Sequence, residues 1–355
     1  MTGDGGVLKT KPHIVKTRPK LVEKVWGGSR LQDLCAKQGA QAPVGEAWEV
    51  ADLDEGQSLV ASGVYEGWRL RQLVELWDAD LLGDSGDPKE PFPLLVKLLD
   101  ARRDLSVQVH PRPQDLNGLE SGSRSKWETW IIVEAGEGAA VIHGLRESMS
   151  PEDFREAATT GDLEACLRRV PVRKGDVITV APGTIHAIGG QVVLLEIQQP
   201  SDTTYRVYDY QRPGLDGKPR QLHLDEALQV GRLEATEAIF NHRGPWTKRR
   251  EKVAGTPAYS IERLKGDQGE VLRWSPASST PQMLHVLDGR LRVDDGIGGT
   301  LELERFETAL VPACVASITA EVRGGPVQVV GAVPGQREVF EALEVIKPSA
   351  ASVVV

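Results

Sequence analysis

Short, strongly apolar segments bounded by glycine and proline recur along the chain and constrain its fold more than any other feature. Examples are "LLVKLLDA", "TWIIV", "DVITVAP", "QVVLLEIQQ" and "PVQVVGAV". Short strands at regular intervals with frequent turns are typical of antiparallel sandwiches and barrels. We therefore expect a mainly β fold.

Three stretches interrupt the strand pattern and predict helical insertions at about 68–82, 150–170 and 223–233. The first contains "WRLRQLVELW", in which apolar residues recur at helical spacing. In the second, "SPEDFREAA" places Ser150 as the N-cap and Pro151 at the first helical position.

A weak internal repeat predicts two barrels in tandem. Residues 128–142 resemble residues 281–295, each an apolar strand that leads through a glycine turn into another strand. Residues 174–182 resemble residues 305–313 in the same way. Two copies of one supersecondary unit in a chain of this length indicate two small barrels.

The polar stretch 241–259 is the natural boundary between the two copies. We therefore predict a first domain at 1–245, which contains the helical insertions, and a second β domain at 246–355.

Composition limits the classes of partner. The chain has 355 residues, of which 40% are apolar and 26% charged, as in ordinary soluble globular proteins. A net charge of -9 disfavours nucleic acid and anionic membranes as partners but permits an anionic small molecule in a pocket. Cys35, Cys166 and Cys314 are far apart and odd in number, which indicates a reducing compartment. With neither a signal peptide nor an apolar membrane-length run, we expect a cytoplasmic protein.

The segment "LSVQVHP" at 105–111 places polar side chains at alternate positions. Ser106, Gln108 and His110 share one face of the predicted strand, while valines take the other face. This segment alone also fits an antiparallel edge strand with one wet side.

Further chemistry-bearing residues follow on other predicted strands. "SKWETW" carries Lys126 and Glu128 on one strand face, and "KGDVITVAPGTIHA" delivers His186 just past a strand end. With Gln108 and His110 they give two imidazoles, a carboxylate and an amide oxygen. This nitrogen and oxygen set suits a divalent cation, most of all Zn²⁺.

The second copy of the repeat lacks these groups. Pro281 stands at the position that matches Glu128, and Ala316 at the position that matches His186. We therefore expect a metal site in the first barrel only and a degenerate C-terminal barrel without metal ligands.

Residues 104–128 resemble the first motif of the cupins, with an insertion, and "GDVITVAPGTIH" resembles the second. The flanking blocks "VWGGSRL", "PVGEAWEVAD", "PFPLLVKLLDARRDLSVQVHP", "SKWETWIIV" and "LLEIQQPSDTTYRVYDYQR" resemble those of type I mannose-6-phosphate isomerases. The similarity covers residues 15–235 closely and the C-terminal third loosely. It implies two tandem cupin (jelly-roll) barrels with helical insertions.

The resemblance places family residues on positions of this chain. The zinc ligands fall on the four residues reached above: Gln108, His110, Glu128 and His186. The active-site arginine falls on Arg206, the pocket lysine on Lys126, and a serine at the phosphate end on Ser106. Trp127 stands where the family commonly has a smaller residue, which affects the expected pocket shape.

The resemblance implies an isomerase that interconverts mannose 6-phosphate and fructose 6-phosphate, which would proceed through an enediol. The ion and Arg206 would stabilise the developing negative charge. The proton-transfer base is left open among Glu196, Lys126 and a metal-bound hydroxide. Lys126, Ser106 and Arg206 are also candidates for the phosphate. A related cupin isomerase acting on another sugar or sugar anion, or a non-catalytic sugar-binding cupin, is the alternative. The expected partner is a small sugar phosphate, and the chain is expected to be a monomer or homodimer.

Overall fold

The computed structural model describes residues 11–33, 43–237, 240–277 and 279–347. In this part the chain is mainly β, and its strands form antiparallel sheets of cupin type, so the predicted fold class is confirmed. Cys35 lies outside the described residues.

The helices are short and the strands numerous. The helices are α1 (Arg30–Asp33), α2 (Leu70–Trp77), α3 (Ala79–Leu82), α4 (Pro151–Thr160), α5 (Leu163–Cys166) and α6 (Leu224–Val230), with a 3₁₀ helix at Pro113–Gly118. The strands of the first half are β1 (Val15–Arg18), β2 (Lys20–Gly28), β3 (Val44–Val50), β4 (Asp52–Leu53), β5 (Gly56–Gln57), β6 (Leu59–Val60), β7 (Leu95–Ala101), β8 (Val107–Val109), β9 (Glu128–Ala135), β10 (Ala140–Leu145), β11 (Leu167–Pro171) and β12 (Val177–Val180). Those of the second half are β13 (His186–Ile188), β14 (Val192–Gln198), β15 (Tyr205–Tyr208), β16 (Phe240–His242), β17 (Arg250–Gly255), β18 (Tyr259–Gly266), β19 (Val271–Ser275), β20 (Gln282–Asp294), β21 (Thr300–Leu303), β22 (Thr308–Val311), β23 (Ile318–Pro334) and β24 (Glu341–Ile346).

The chain divides into two compact units, each built from separate stretches of sequence. One unit comprises the described parts of 1–18, 59–93 and 259–355, and the other comprises 19–58 and 94–258. The predicted boundary at 245/246 divides the chain into two consecutive stretches of sequence. As a domain boundary it stays a prediction. The stretch 241–259, predicted as a linker, is structured, because it contains β17 and most of β16.

The unit formed by 19–58 and 94–258 contains two antiparallel sheets. One sheet has the strand order β16-β12-β9-β14-β7-β3-β2, and the other has the order β11-β10-β13-β8-β15. A core cluster with members from both sheets includes Trp26, Leu99, Trp130, Ile178 and Ile188. This pattern is that of a jelly-roll whose interior lies between the sheets.

Helices cover the outer face of the second sheet. Phe154 of α4, Leu163 of α5 and Val230 of α6 belong to the same apolar cluster as Val107 and Val109 of β8. Because side chains alternate along a strand, the other face of β8 turns into the barrel. The alternation of "LSVQVHP" therefore separates a helix-packing face from an interior polar face, and the wet-edge alternative is wrong.

The predicted helical insertions are confirmed in part. The first is divided into α2 and α3, and the third is α6. In the second, Ser150 Oγ accepts the Asp153 amide at 3.0 Å as the predicted N-cap, and Gly161 ends α4 with a φ of 93°. The prediction is wrong for residues 167–170, which belong to β11 (Leu167–Pro171) because this segment pairs with β10. No helix in the described residues is long and apolar enough to span a membrane.

The other unit has its own β core. Its strands pair in the order β18-β23-β20-β22-β1-β6, with β19, β21 and β24 alongside. Residues 281–295 were expected to form a strand, a glycine turn and a second strand. They lie instead on one long strand, because β23 pairs with both halves of β20 and the register shifts near Gly289. The core includes Leu284, Val329, Trp274 and Phe340.

A buried ion pair joins α1 to the strands of the jelly-roll. Asp100 on β7 is fully buried and accepts hydrogen bonds from the Arg30 backbone amide and from Arg30 Nε, each at 2.8 Å. Arg30 Nη2 also donates to the carbonyl oxygens of Ala101 and Val192, at 3.2 Å each. Gly28 is needed beside this pair, because a Cβ there would lie 2.4 Å from Asp100 Oδ2.

We expect Asp100→Asn to lower the free energy of unfolding by about 2–4 kcal/mol, because it leaves a mostly buried guanidinium without its counter-charge. The matched control is Asp225→Asn, which breaks an exposed ion pair with Arg155 and should cost about 1 kcal/mol or less. Urea unfolding of both variants measures the difference, and equal losses would contradict the assignment.

Candidate metal centre

Strand β8 and the residues on either side of it carry three of the predicted site residues, Ser106, Gln108 and His110. The centre of β8, Gln108, lies opposite His186 on β13 and opposite Arg206 on β15. Gln108 Nε2 is 3.2 Å from His186 Nε2, and Ser106 Oγ accepts a hydrogen bond from Arg206 Nε at 3.3 Å. Sheet register thus brings together residues that are far apart in the sequence.

Glu128 at the start of β9 stands between two imidazoles. Its Oε1 lies 3.2 Å from His110 Nε2, and its Oε2 lies 3.4 Å from His186 Nε2. The potential ligand atoms of these three residues all lie within 4.8 Å of one another, and each residue is only 1% exposed. The structure therefore brings together three of the four predicted ligands as one buried cluster, with Gln108 in contact.

Backbone carbonyls fix which ring nitrogens face Glu128. His110 Nδ1 lies 2.8 Å from the Thr203 carbonyl oxygen, and His186 Nδ1 lies 2.7 Å from that of Thr184. Each Nδ1–H therefore donates to a carbonyl, and each Nε2 keeps a lone pair directed at Glu128. Burial lowers the pKa of His186 to about 3, and burial together with Lys126 lowers the pKa of His110. Both imidazoles are neutral at pH 7.

The cluster fits a divalent cation. Within the described part of the chain, His110 Nε2 and both carboxylate oxygens of Glu128 are buried without a well-directed hydrogen bond. Buried polar atoms are rarely left in this way, and here all three converge. A half-turn of the Gln108 amide exchanges its nitrogen for an oxygen facing His186, which completes a set of two nitrogens and two oxygens.

Lys126 adds a positive charge at the same carboxylate. Its Nζ lies 2.6 Å from Glu128 Oε1, and the side chain is buried. Burial acts to raise the pKa of Glu128, but Lys126 and the imidazoles outweigh it and hold that pKa well below its usual range. Glu128 is therefore an anion at neutral pH.

Glu196 occupies the same interior face on β14. It pairs in register with Trp130 on β9 and with Lys97 on β7, and its Oε1 accepts a hydrogen bond from Trp130 Nε1 at 3.0 Å. Burial, with the nearby charge of Glu128, raises the pKa of Glu196 to about 7. This buried carboxyl can accept or release a proton near neutral pH.

A group of three buried residues lies beside Glu196, and one of them, Lys97, was missed in the sequence. Lys97 Nζ lies 3.7 Å from Glu46 Oε2 and 4.7 Å from the centre of the Trp48 ring, whose Nε1 donates to Glu46 at 2.6 Å. Burial opposes both charges, but Lys97 and Lys24 lower the pKa of Glu46 to about 2, and Glu46 raises the pKa of Lys97. The available signal was a lysine inside the apolar run "LLVKLLDA".

Two further arginines lie near Arg206, and the sequence reasoning missed them as well. Buried Asp209 accepts hydrogen bonds from Arg212 Nη2 at 2.8 Å and from Arg220 Nε at 2.6 Å. Burial and the charge of Arg220 lower the pKa of Arg206, whose Nη1 donates to the Gln221 carbonyl oxygen at 2.8 Å. Arg212 and Arg220 are thus gathered by Asp209 close enough to Arg206 for their charges to act on it.

Comparison with known proteins places the chain in a family. Residues 14–126 match the model for the phosphomannose isomerase type I catalytic domain. Mannose-6-phosphate isomerase ManA of Bacillus subtilis is 41% identical over 226 residues, which are 63% of this chain and 69% of the relative. Mannose-6-phosphate isomerase of Streptococcus mutans is 41% identical over 209 residues, 59% of this chain and 64% of the relative.

Solved structures agree with this placement. The mannose 6-phosphate isomerase from Bacillus subtilis matches 90% of this chain and 99% of its own with a TM-score of 0.76 and 27% identity. A putative mannosephosphate isomerase from Archaeoglobus fulgidus, with a TM-score of 0.73 and 21% identity over 91% of this chain and 98% of its own, shares the fold. The chain belongs to the type I mannose-6-phosphate isomerase family.

Proposed function

We propose that the chain is a Zn²⁺-dependent aldose–ketose isomerase that interconverts mannose 6-phosphate and fructose 6-phosphate through an enediol. The observation that carries the proposal is the buried centre in which His110, Glu128 and His186 direct donor atoms toward one another. The arginine cluster in the same barrel suits the phosphate of the substrate that the relatives' names give.

The ion would be held by Gln108, His110, Glu128 and His186. When bound, a divalent cation supplies Lewis-acid polarisation of the carbonyl and hydroxyl oxygens at C1 and C2. Neutral imidazoles and an ionised carboxylate are the ligand states that Zn²⁺ needs, and burial with Lys126 maintains both. The chain thus prepares the ligands before the sugar arrives.

We assign proton transfer to Glu196. The reaction moves a proton between adjacent carbons, so one base can collect it at one carbon and return it at the other. A carboxyl with a pKa of about 7 is populated in both protonation states near neutral pH. The hydrogen bond from Trp130 Nε1 to Oε1 holds the carboxyl in place and leaves Oε2 to carry the proton.

We assign Lys126 to the negative charge that develops on the sugar oxygens. Its ammonium is already positioned beside the metal ligand Glu128, in a site where burial strengthens electrostatic interactions. Because Lys126 is engaged with Glu128 as an ion pair, Glu196 is the better candidate for the base.

The phosphate end is assigned to Arg206 and Ser106, which are hydrogen-bonded to each other. Arg212 and Arg220, which both pair with Asp209, add guanidinium groups beside them. Guanidinium groups are well suited to hold a phosphate dianion. Arg206 lies directly across from Gln108, so the phosphate end adjoins the metal centre through neighbouring strands.

The activity is tested with purified protein and mannose 6-phosphate, from which fructose 6-phosphate should form. Removal of metal with a chelator should abolish turnover, and one equivalent of Zn²⁺ should restore it. A panel of other aldose phosphates and free aldoses serves as the control for substrate class. Turnover at full rate by metal-free protein, or preference for a sugar without phosphate, would contradict the proposal.

Glu196→Gln should lower kcat by about 100- to 10,000-fold, because the amide cannot take the proton. KM and bound zinc should change little, since the variant keeps the oxygen that accepts from Trp130. In the wild type, kcat should fall as the pH is lowered through the pKa of Glu196. A bound cation lowers that pKa, so this fall in kcat should lie below pH 7. The assignment fails if the variant still exchanges the C2 proton with solvent at the wild-type rate.

Arg206→Met should raise KM for mannose 6-phosphate by about 10- to 100-fold, as expected for loss of a charge-assisted hydrogen bond to phosphate. Zinc content should stay at the wild-type level. Arg155→Met is the matched control, because Arg155 pairs with Asp225 on the surface. An unchanged KM for Arg206→Met with a large loss of kcat would instead place Arg206 at the reacting carbons.

A further inference from the structure

A tight turn at residues 199–203 connects the two ligand-bearing parts of the metal centre. At its end, the Thr203 carbonyl oxygen accepts from His110 Nδ1 at 2.8 Å. At its start, Gln199 and Trp127 exchange hydrogen bonds, with the Trp127 amide donating to Gln199 Oε1 at 3.0 Å and the Gln199 amide donating to the Trp127 carbonyl at 3.2 Å. Trp127 directly precedes Glu128, so the turn contacts both ligand-bearing segments.

Ser201 is the residue that closes this turn. Its hydroxyl donates to the Arg124 carbonyl oxygen at 3.1 Å and accepts from the Thr203 amide at 3.2 Å. The Arg124 amide donates to Thr203 Oγ1 at 3.1 Å, so the two segments are tied twice. Ser201 is only 2% exposed, and water has little access to replace these bonds.

Gln198 supports the turn from the barrel side. It is fully buried on β14 opposite Glu128, and its Nε2 donates to the carbonyl oxygens of Gln199 at 3.0 Å and Ser201 at 3.1 Å. The amide nitrogen therefore fixes the turn at two points. Its Oε1 is buried and accepts no hydrogen bond within the described part of the chain.

We propose that Ser201, supported by Gln198, is a positioning residue for the metal centre. Its hydroxyl fixes the Thr203 carbonyl, which holds His110 in the Nδ1–H tautomer with the Nε2 lone pair directed at Glu128. The same hydroxyl anchors the segment that carries Lys126 and Glu128. This inference rests on the metal dependence in the proposed function and extends it to residues that touch neither ion nor sugar.

The physical reason is preorganisation. A metal ligand that must be rotated or change tautomer before binding loses affinity by the free energy of that rearrangement. Without the Ser201 hydroxyl, the Thr203 amide and the Arg124 carbonyl lose their shared partner, and the Thr203 carbonyl is held less firmly. His110 then spends part of its time in orientations that cannot bind metal.

The test measures Zn²⁺ affinity of chelator-treated protein by competition with a chromophoric chelator, independently of turnover. Ser201→Ala should bind Zn²⁺ about 10- to 100-fold more weakly, the range for loss of a group that orients a metal ligand. Gln198→Met should weaken it in the same direction. Ser201→Thr, which keeps the hydroxyl, should bind more tightly than Ser201→Ala.

Thr129→Val is the matched control, because it also removes a buried hydroxyl, from the face of β9 away from the barrel interior. Thr129 Oγ1 lies 3.0 Å from Thr179 Oγ1. The control should lose stability yet keep wild-type Zn²⁺ affinity. As a spectroscopic readout, the slowly exchanging Nδ1–H signal of His110, assigned by its loss in His110→Gln, should weaken in Ser201→Ala and persist in Thr129→Val.

Zn²⁺ affinity of Ser201→Ala equal to that of Thr129→Val would overturn the positioning role and leave the proposed function standing. A wild-type chain that takes up no Zn²⁺ would overturn the proposed function and this inference together. The two failures are therefore distinguishable in one experiment.

Discussion

The barrel depends on one electrostatic arrangement, the meeting of a buried carboxylate with two neutral imidazoles. Glu128 cannot remain ionised in the interior unless positive charge compensates it, and Lys126 does so only at one oxygen. The donor atoms of His110 and His186 complete an environment that favours a cation. The backbone carbonyls that accept from Nδ1 of both rings fix the tautomer that leaves Nε2 available to bind a cation.

Further charged and titratable side chains lie around this centre. Burial, together with the nearby charge of Glu128, raises the pKa of Glu196. The ion pair of Lys97 and Glu46 lies beside Glu196 and packs on Trp48. These groups come together from neighbouring strands that are paired in register. On β8 the opposite face is apolar and packs against the helices, so the alternation that builds the fold also turns the polar side chains into the barrel.

The sequence predicted what local pattern and motif spacing determine. Alternation around Gln108 indicated the interior face. His186 was expected just past a strand end, and it lies after β12 at the first position of the next strand, β13. The sequence did not predict β11, because Leu167–Pro171 is strand only through pairing with β10. Long-range pairing with β23 is also the reason that β20 continues through Gly289 and does not turn there.

The missed site residues have the same cause. Lys97 is one charge in an apolar run, and only the folded barrel places Glu46 beside it. Arg212 and Arg220 form ion pairs with the buried carboxylate of Asp209, and these ion pairs bring them near Arg206 only in the folded chain. Periodicity in a single sequence does not show which separate segments come into contact. The predicted metal ligands could be found because their residue types are those that bind divalent cations.

The most direct measurement is a crystal structure of the zinc-loaded protein with diffraction recorded at the zinc absorption edge. We expect one anomalous peak per chain within about 2.0–2.2 Å of Nε2 of His110 and His186 and of a Glu128 carboxylate oxygen. A peak at another place, or a loaded protein with no ordered zinc between these three side chains, would contradict this expectation.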